Sequence, residues 1–233
     1  MNLFYQPHIA DGVHHLEPEE SKHAVRVMRR RIGDIIHITD GKGILYEARI
    51  LSEDQSQCLF EVIRTQREPS VNNRIHVAIS PLSHADRFEW FVEKAVELGV
   101  NRISIMLCER TEKRQVKLER LHKIAVGAMK QSQRFTLPDI DGPIDFDSFV
   151  SSCRADQKFI AFVDISNPQH LFTQAKKGLA NVVCIGPEGD FTAAELTQAL
   201  HHGFIKVSLG AHRLRTETAG IAACHMLNLV NLS

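Results

Sequence analysis

The sequence lacks the patterns that mark several common protein classes. Its five cysteines lie far apart and form no CxxC pair, which argues against a zinc site and a disulfide framework. No apolar run approaches the roughly 20 residues that span a bilayer. The N-terminus does not have the charged-then-apolar pattern of a signal peptide. We therefore expect a protein with reduced thiols that resides in the cytoplasm and does not bind membranes.

Metal and nucleotide motifs are missing as well. The thirteen histidines form no HxxxH or HExxH pattern, so we assign no metal. The chain has neither a GxGxxG fingerprint nor a Walker A loop, and this makes an NAD-dependent dehydrogenase a distant alternative. Net charge is zero, from 28 basic and 28 acidic side chains, so only local patches can indicate nucleic-acid binding.

The N-terminal part of the chain is rich in β-forming residues. Short runs at Ile35–Thr39, Ile44–Ile50 and Cys58–Ile63 predict strands, with a glycine turn between the first two. His23–Arg31 predicts a helix with Val25, Met28 and Ile32 on one side. We predict a small β-barrel domain over residues 1–70, followed by a polar linker at 67–73.

From residue 74 to 233 the pattern changes to near-continuous apolar runs that alternate with helical segments. Such runs are typical of strands buried on both faces of a parallel sheet, so we predict an α/β domain. The runs are Ile75–Ser80, Ile103–Cys108, Phe159–Val163, Val182–Ile185 and Ile205–Leu209.

Three helical segments have distinctive patterns. Residues 88–96 carry an apolar stripe, and we expect Trp90 to lie in the core with the phenylalanines. Thr192–Glu195 has the spacing of a capping box. Ala219–Val230 is apolar nearly all round, which predicts a buried helix, part of which meets a partner subunit.

Two segments combine buried strands with turn and charged residues. In VVCIGPEGDFT (182–192), a strand enters a tight turn whose glycines permit positive φ and close approach of a ligand. In VSLGAHRLRTETA (207–219), Arg215 and Glu217 stand at the start of an apolar helix, where a buried charge is costly unless it is paired or used. The alternatives are an ordinary strand–helix loop and a structural Arg215–Glu217 ion pair.

Together, IGPEGDFTAAEL and VSLGAHRLRTETAGIAA resemble the paired signature of the SPOUT methyltransferases, in particular the branch that methylates N3 of uracil in 16S rRNA. HAVRVMRRRIGDIIHITDGKG is similar to that branch's PUA-like N-terminal domain. DRFEWFVEKAVELGVNRISIMLCERT and AMKQSQRFTLP resemble the first segments of its catalytic domain. At Asp190 the family usually has a second glycine.

The resemblance implies a SPOUT domain over residues 74–233 with a C-terminal trefoil knot, preceded by a PUA-like RNA-binding domain. It also implies a homodimer, S-adenosylmethionine as cofactor and the small ribosomal subunit as partner. The cofactor would contact loops that supply apolar walls and backbone donors. The residues that we expect to contact the cofactor are Ile185, Gly186, Pro187, Glu188, Gly189, Leu209, Gly210, Leu214, Arg215 and Thr216.

The chemistry of uracil methylation suggests roles for three charged side chains. N3 must lose its proton before it attacks a methyl group, so Arg215 could stabilise the resulting anion. Glu217 or Glu188 could accept the proton or orient the arginine.

Basic clusters give the expected RNA contacts. Residues 109–134 contain eight lysines and arginines against three glutamates, and four arginines occur between 26 and 31. We predict RNA binding by Arg26, Arg29, Arg30, Arg31, Arg110, Arg114 and Arg134. Two alternatives stay open, namely a SPOUT enzyme acting on tRNA or a ribose hydroxyl, and a non-catalytic RNA-binding protein of ribosome assembly.

Overall fold

The computed structural model describes residues 2–69, 74–164 and 169–232, and these fall into two compact units. The first unit contains the described residues up to 69 together with Val126–Leu137. The second unit contains the rest. The sequence did not indicate that a segment from the middle of the chain would belong with the N-terminal residues. Residues 70–73 of the predicted linker lie outside the described residues.

A four-stranded sheet forms the first unit, in the order β1-β2-β3-β4. β1 pairs in parallel with β2, and the other pairings are antiparallel. The predicted bounds of β2 and β3 are confirmed, and β4 begins two residues later than expected. The strands are β1 (Leu3–Tyr5), β2 (Ile35–Thr39), β3 (Ile44–Ile50) and β4 (Phe60–Arg67).

The mid-chain segment of the first unit is attached by hydrogen bonds near the β2–β3 turn. The N–H of Gly43 donates to the carbonyl of Phe135 at 2.8 Å. The hydroxyl of Thr136 donates to Oε2 of Glu68 at 2.9 Å. These contacts explain why residues 126–137 group with the strands.

The predicted helix over His23–Arg31 is displaced. Helix α1 spans Pro18–Lys22 and continues into a single π-helical segment, His23–Val27. Arg29 then adopts a left-handed conformation with φ of 54°, which ends the helical path. Ile32, expected on the packed side of a helix, is 63% exposed because the chain has already turned away.

Six parallel strands form the sheet of the second unit, in the order β10-β8-β9-β5-β6-β7. The predicted parallel sheet is confirmed. Every residue of β9 in its centre is buried, as its apolar sequence requires. The strands are β5 (Ile75–Ile79), β6 (Arg102–Leu107), β7 (Asp139–Asp145), β8 (Gln157–Ala161), β9 (Asn181–Ile185) and β10 (Ile205–Val207).

Strand β7 escaped prediction because it has no apolar run. Its sequence is DIDGPID, and it lies at the edge of the sheet, where proline is tolerated. A side chain at Gly142 would approach the carbonyl oxygen of Ile105 to 2.5 Å, so only glycine lets the two strands lie this close.

The helices of the second unit confirm two local predictions. The apolar stripe of α2 is buried. Both bonds of the capping box are present, because the Thr192 hydroxyl accepts from the N–H of Glu195 and a Glu195 carboxylate oxygen accepts from the N–H of Thr192. The helices after α1 are α2 (Ala85–Glu97), α3 (Leu118–Gln131), α4 (Phe146–Ser152), α5 (Leu171–Gln174), α6 (Ala193–His201) and α7 (Thr216–Leu232). The α3 residues from 126 onward belong to the first unit.

Two expectations about burial have different outcomes. Helix α7 buries one side, against α2, α5, β5 and β9, while Leu229 and Leu232 are 39% and 75% exposed, and the expected contact of part of this helix with a partner subunit stays a prediction. The expectation that Trp90 lies in the core is wrong. Trp90 is 46% exposed, because it lies two positions, about 200°, from Phe88 on α2 and therefore faces away from the stripe. The five cysteines are buried and form no disulfide.

Candidate functional site

A cleft of about 890 Å³ opens at the carboxyl ends of the central strands of the second unit. Ligands of open α/β sheets bind at this edge, and the volume lies in the range of small-molecule sites. Three stretches of chain line it, with Arg87 of α2 added from the side. The stretches are residues 161–164 and 170 from the end of β8 onward, residues 185–188 and 190 from the end of β9 onward, and residues 208–217 and 219 after β10.

Nearly all the residues predicted to contact a cofactor line this one cleft. Gly189 is the exception, since it belongs to the loop without lining the cavity. The cofactor contacts themselves remain a prediction. The lining residues from the predicted set are Ile185, Gly186, Pro187, Glu188, Leu209, Gly210, Leu214, Arg215 and Thr216.

The glycines after β9 make room for side chains of the protein and do not adopt the positive φ that we expected, while the close approach of a ligand stays a prediction. Neither Gly186 nor Gly189 has a positive φ. A side chain at Gly186 would lie 3.2 Å from the ring of Phe191, and one at Gly189 would lie 3.2 Å from Cδ of Arg110. The left-handed residue of this loop is Asp190, with φ of 63°.

Aspartate can occupy this position because it tolerates the left-handed region better than most residues. Its Oδ1 accepts a hydrogen bond from the N–H of Phe191 at 2.8 Å. Its Oδ2 accepts from the N–H of Val163, beyond β8, at 3.4 Å. Asp190 therefore keeps the turn that a glycine would make and adds a link between two walls of the cleft.

The tip of the same loop receives hydrogen bonds from three neighbouring segments. The N–H of Ser83, after β5, donates to Oε1 of Glu188 at 3.2 Å. Arg213 donates to the carbonyl of Glu188 at 3.0 Å, and Arg110 donates to the carbonyl of Gly189 at 2.7 Å. The loop is thus fixed by side chains from outside it.

The loop after β10 is attached through the Arg213 bond just described and through the backbone of Ser208, which bonds to Gln169 and Leu171. The Ser208 hydroxyl accepts from the N–H of Gly210 at 3.2 Å and donates to its carbonyl at 3.0 Å. Gly210 has φ of 139°, and a side chain built there would meet no atom within 4 Å. Gly210 therefore leaves the space on its side of the loop open.

The two candidate acidic residues differ in environment. Glu188 is exposed, and its carboxylate is held by Ser83. Glu217, in the first turn of α7, is 7% exposed and lines the cleft. No hydrogen bond or ion pair to its side chain is found among the described residues.

Arg215 is exposed at the same cleft, and the ion pair with Glu217 considered from the sequence is absent from the described part of the chain. Its backbone carbonyl accepts from the N–H of Ala219, which starts the hydrogen bonding of α7. Its guanidinium thus stands at the opening while Glu217 lies deeper. The structure brings Arg215, Glu217 and Glu188 to one cavity.

Most of the predicted RNA-binding arginines lie in the first unit. Arg26 and Arg29 are exposed, while Arg30 is half-buried. Arg31 forms an ion pair with Glu53 at 2.9 Å, so its charge is partly neutralised. Arg134 belongs to the mid-chain segment of the same unit.

In the second unit, Arg110 and Arg114 are exposed in the segment after β6. Arg114 donates to the carbonyl of Cys108 at 3.4 Å. Arg110, as described above, is attached to the Gly189 carbonyl. Among the predicted RNA-binding residues, Arg110 is the one tied by a hydrogen bond to a cleft loop.

Sequence reasoning missed several residues of the cleft and its rim. Arg87 lies on the polar side of an amphipathic helix, where any exposed arginine would look the same. Ser83 belongs to a short polar turn, and Arg213 has no role predicted from the sequence. A signal for Arg213 existed, since it is one of three charged residues within five positions at the start of α7.

Two other kinds of site are absent from residues 2–69, 74–164 and 169–232. No group of three histidine, cysteine, aspartate or glutamate side chains is arranged to hold a metal ion. No helix in these ranges is both long and apolar enough to cross a membrane.

Comparison with known proteins gives a consistent result. Residues 69–228 match the RNA methyltransferase domain family, and residues 16–63 match the RNA methyltransferase PUA domain family. The chain is 30% identical over 211 residues to the ribosomal RNA small subunit methyltransferase E of Synechocystis sp., covering 87% of this chain and 68% of that protein.

Solved structures resemble the fold over its whole length. A probable rRNA-methyltransferase from Porphyromonas gingivalis is 36% identical, with a TM-score of 0.94 and coverage of 100% of this chain and 99% of that one. A ribosomal RNA small subunit methyltransferase E from Neisseria gonorrhoeae, bound to S-adenosyl methionine, is 29% identical, with a TM-score of 0.86 and coverage of 99% and 98%.

Proposed function

Because the chain belongs to the RNA methyltransferase family, we propose that it transfers a methyl group from S-adenosylmethionine to 16S rRNA of the small ribosomal subunit, at N3 of a uridine. The observation that carries the proposal is the cleft. Two loops that resemble the family's signature enclose one cavity at the carboxyl edge of the parallel sheet.

The residues of the cleft suit S-adenosylmethionine. Ile185, Leu209 and Leu214 supply apolar surface for an adenine, and the free side of Gly210 admits a ligand against the backbone. Glu217 is 7% exposed and lines the cleft, so its carboxylate can accept a hydrogen bond from a ligand there. When bound, S-adenosylmethionine supplies an electrophilic methyl group whose bond to sulfur breaks as the acceptor attacks.

The protein's own task is to prepare the uracil. In our proposal, N3 loses its proton to the carboxylate of Glu217, and the resulting negative charge spreads over N3 and the two carbonyl oxygens. The guanidinium of Arg215 donates hydrogen bonds to that anion, which lowers the free energy of the transition state.

Glu217 suits the role of proton acceptor better than Glu188 does. Glu188 is exposed and already accepts hydrogen bonds from Ser83. Glu217 stands in the first turn of α7 and lines the cleft, and no hydrogen bond to its carboxylate is found among the described residues. Glu188 instead serves as the attachment point of its loop.

RNA binding in this proposal involves both units. The first unit matches the PUA family of RNA methyltransferases, and it carries Arg26, Arg29, Arg30 and Arg31. Exposed arginines attract phosphates through charge and through the release of counterions. Arg110 and Arg114 would contact RNA from the second unit, and Arg134 from the mid-chain segment of the first unit.

We also propose a homodimer formed through α7. The exposed side of this helix carries Leu229 and Leu232, and α2, which packs beside α7, exposes Trp90. Large exposed apolar side chains on paired helices are typical of subunit contacts. A Leu229→Lys variant should become monomeric at micromolar concentration by light scattering. A parent chain that is itself monomeric and fully active would contradict the dimer.

A trefoil knot remains part of the proposal. The segment after β10 pairs with residues beyond β8, since the N–H of Ser208 donates to Gln169 and the N–H of Leu171 donates to Ser208, at 2.7 and 3.0 Å. Helix α7 then returns to β5 and β9. The bonds of Ser208 to this segment and the return of α7 to the sheet support the knot that the family resemblance implies. Residues 165–168, after β8, lie outside the described residues.

Two experiments test the proposal against its alternatives. Calorimetry with S-adenosylmethionine should show binding to a single site per chain, whereas a purely RNA-binding assembly protein need not bind it. Nucleoside mass spectrometry of RNA from a deletion strain should show loss of 3-methyluridine from 16S rRNA. Loss of a tRNA or ribose methylation instead would favour the other SPOUT activities.

We place the enzyme in the cytoplasm, where ribosomal subunits are assembled.

A further inference from the structure

Two arginines from distant parts of the chain are attached to neighbouring peptide groups at the mouth of the cleft. Arg110 follows β6, and its Nη1 donates to the carbonyl of Gly189 at 2.7 Å. Arg213 follows β10, and its Nη2 donates to the carbonyl of Glu188 at 3.0 Å. Because consecutive Cα atoms are about 3.8 Å apart, the two guanidinium groups are anchored at adjacent points of one loop.

Neither arginine has a carboxylate beside it that would balance its positive charge. Each is exposed, and neither forms an ion pair with a carboxylate within the described ranges. Other arginines of the chain differ in this respect, since Arg31, Arg49 and Arg102 each pair with an acidic side chain. A neutral carbonyl uses one of the five N–H groups of a guanidinium and leaves the others available.

The loop after β9 leaves space for the side chain of Arg110. A side chain at Gly189 would approach Cδ of Arg110 to 3.2 Å, so glycine at 189 makes room for the arginine stem. The Glu188 carboxylate, which could have neutralised either arginine, accepts from Ser83 instead. The carboxylate of Asp190 likewise accepts from backbone N–H groups.

We infer that Arg110 and Arg213 form a binding site for a backbone phosphate of the substrate RNA at the mouth of the cleft. A nucleotide whose base enters the cleft carries its phosphate at the opening, where Arg213 lines the wall. Planar guanidinium groups bind phosphate oxygens through paired N–H donors. Anchoring on carbonyls reduces the conformational entropy that each arginine loses when it binds. The inference rests on the proposed function, because it takes RNA as the ligand.

The test measures how RNA affinity depends on salt. A fluorescein-labelled oligouridylate is titrated with the full-length chain at several salt concentrations, for the parent and for Arg110→Gln, Arg213→Gln and the double variant. For single-stranded RNA, each lost phosphate contact should reduce the slope of log affinity against log salt by about 0.7. Affinity at low salt should fall about tenfold per arginine, as expected for a charge-assisted hydrogen bond at an exposed site.

A matched control separates a specific contact from a change in net charge. The double variant Arg49→Gln/Arg102→Gln removes the same charge from arginines that are already paired with Glu61 and Asp141, at 2.8 and 2.6 Å. Its slope should equal that of the parent. Arg110→Lys and Arg213→Lys should keep most of the slope, because they keep the charge.

The salt slope decides the outcome, whatever happens to cofactor affinity. An unchanged slope in the Arg110→Gln/Arg213→Gln variant would overturn the inference. If S-adenosylmethionine affinity also fell in that case, the two arginines would serve only to fix the loop. Failure of the proposed function would look different, since the parent chain itself would then not bind S-adenosylmethionine.

Discussion

The two loops that line the cleft are held to different extents. The loop after β9, residues 186–192, is fixed by Ser83, Arg110 and Arg213, and a capping box holds its end. The loop after β10, residues 208–215, is attached through the backbone of Ser208 and the side chain of Arg213, and most of its residues are exposed.

This difference suggests a division of labour. A loop fixed by the rest of the protein offers a wall whose geometry is set before a ligand arrives, so no ordering entropy is lost there on binding. A loop with few contacts can adjust to the ligand, and it loses conformational freedom when it does so. We expect substitutions in the first loop to affect stability, and substitutions in the second to affect binding and turnover.

The largest effect should come from Arg215 at the end of the second loop. Arg215→Ala should lower the single-turnover methylation rate about 10²–10³-fold, roughly 2.7–4 kcal/mol, because a donor to the transition-state anion is lost. Cofactor affinity and melting temperature should change little, since the guanidinium is exposed.

Arg215→Lys is the matched variant. It should recover only part of the rate, because an ammonium cannot span two acceptors as a guanidinium can. A near-normal rate for Arg215→Ala, or a joint loss of stability and cofactor binding, would make Arg215 a scaffold residue and would remove the distinction between the loops.

Strands β5, β6 and β7 of the same sheet differ from the cleft, because the polar side chains that they place next to one another have hydrogen-bond partners within the protein. Ser104 donates its hydroxyl proton to Asp141 at 2.6 Å and therefore accepts from Nε2 of His76 at 2.8 Å. Burial, and to a lesser extent the charge of Arg102, lowers the pKa of His76 to about 4. His76 is therefore neutral in the folded protein near pH 5, where an unfolded histidine is protonated.

Stability should accordingly fall with acid. Because the unfolded state binds the extra proton, the free energy of unfolding should decrease between about pH 6.5 and pH 4, by at most about 3 kcal/mol from this group. Urea titrations of the parent and His76→Gln across this range check the prediction. The variant should lose that part of the pH dependence, and parallel curves would show that His76 is protonated in the folded state.

The glycines allow a direct comparison between the loops. Gly210→Val should weaken S-adenosylmethionine binding about 30-fold, roughly 2 kcal/mol, because it fills open space and strains a φ of 139°. Gly178→Val is the control, since Gly178 also has a positive φ and open surroundings but does not line the cleft. Its cofactor affinity should match the parent's, and equal affinity for Gly210→Val would mean that the ligand lies elsewhere.

The smallest effect concerns the end of the fixed loop. The buried carboxylate of Glu195 accepts from the N–H groups of Thr192 and Glu109, both at 2.8 Å. Glu195→Gln turns one acceptor into a donor and should lower the free energy of unfolding by about 1–2 kcal/mol, with the methylation rate unchanged. Glu119→Gln, at an exposed first turn, should have a smaller effect by urea denaturation. Comparable losses in the two variants would show that the loop is not held at this end.

Much of the fold follows from local patterns in the sequence. Buried strands such as β9 are recognisable because both faces need apolar side chains, and the capping box is visible because its two partners are three residues apart. β7 is not recognisable, since an edge strand needs no apolar run. The membership of residues 126–137 in the first unit depends on contacts with residues far away in sequence, such as Gly43.

The site was predictable to a similar degree. The two loops resemble a known signature, so their residues could be named in advance. The sequence does not show which neighbours each side chain contacts. Glycines 186 and 189 make room for Phe191 and Arg110, and Asp190 adopts the left-handed turn. Arg213 acts on a loop 25 residues earlier in the chain, which no local pattern reveals.

Methylation of isolated ribosomal subunits tests the central claim most directly. Small subunits from a strain lacking this protein are incubated with the purified chain and labelled S-adenosylmethionine, and the digested RNA is separated by mass spectrometry. The account predicts about one 3-methyluridine per 16S rRNA for the parent and a strongly reduced rate for Glu217→Gln. Label on a ribose, on tRNA, or on no RNA at all would contradict it.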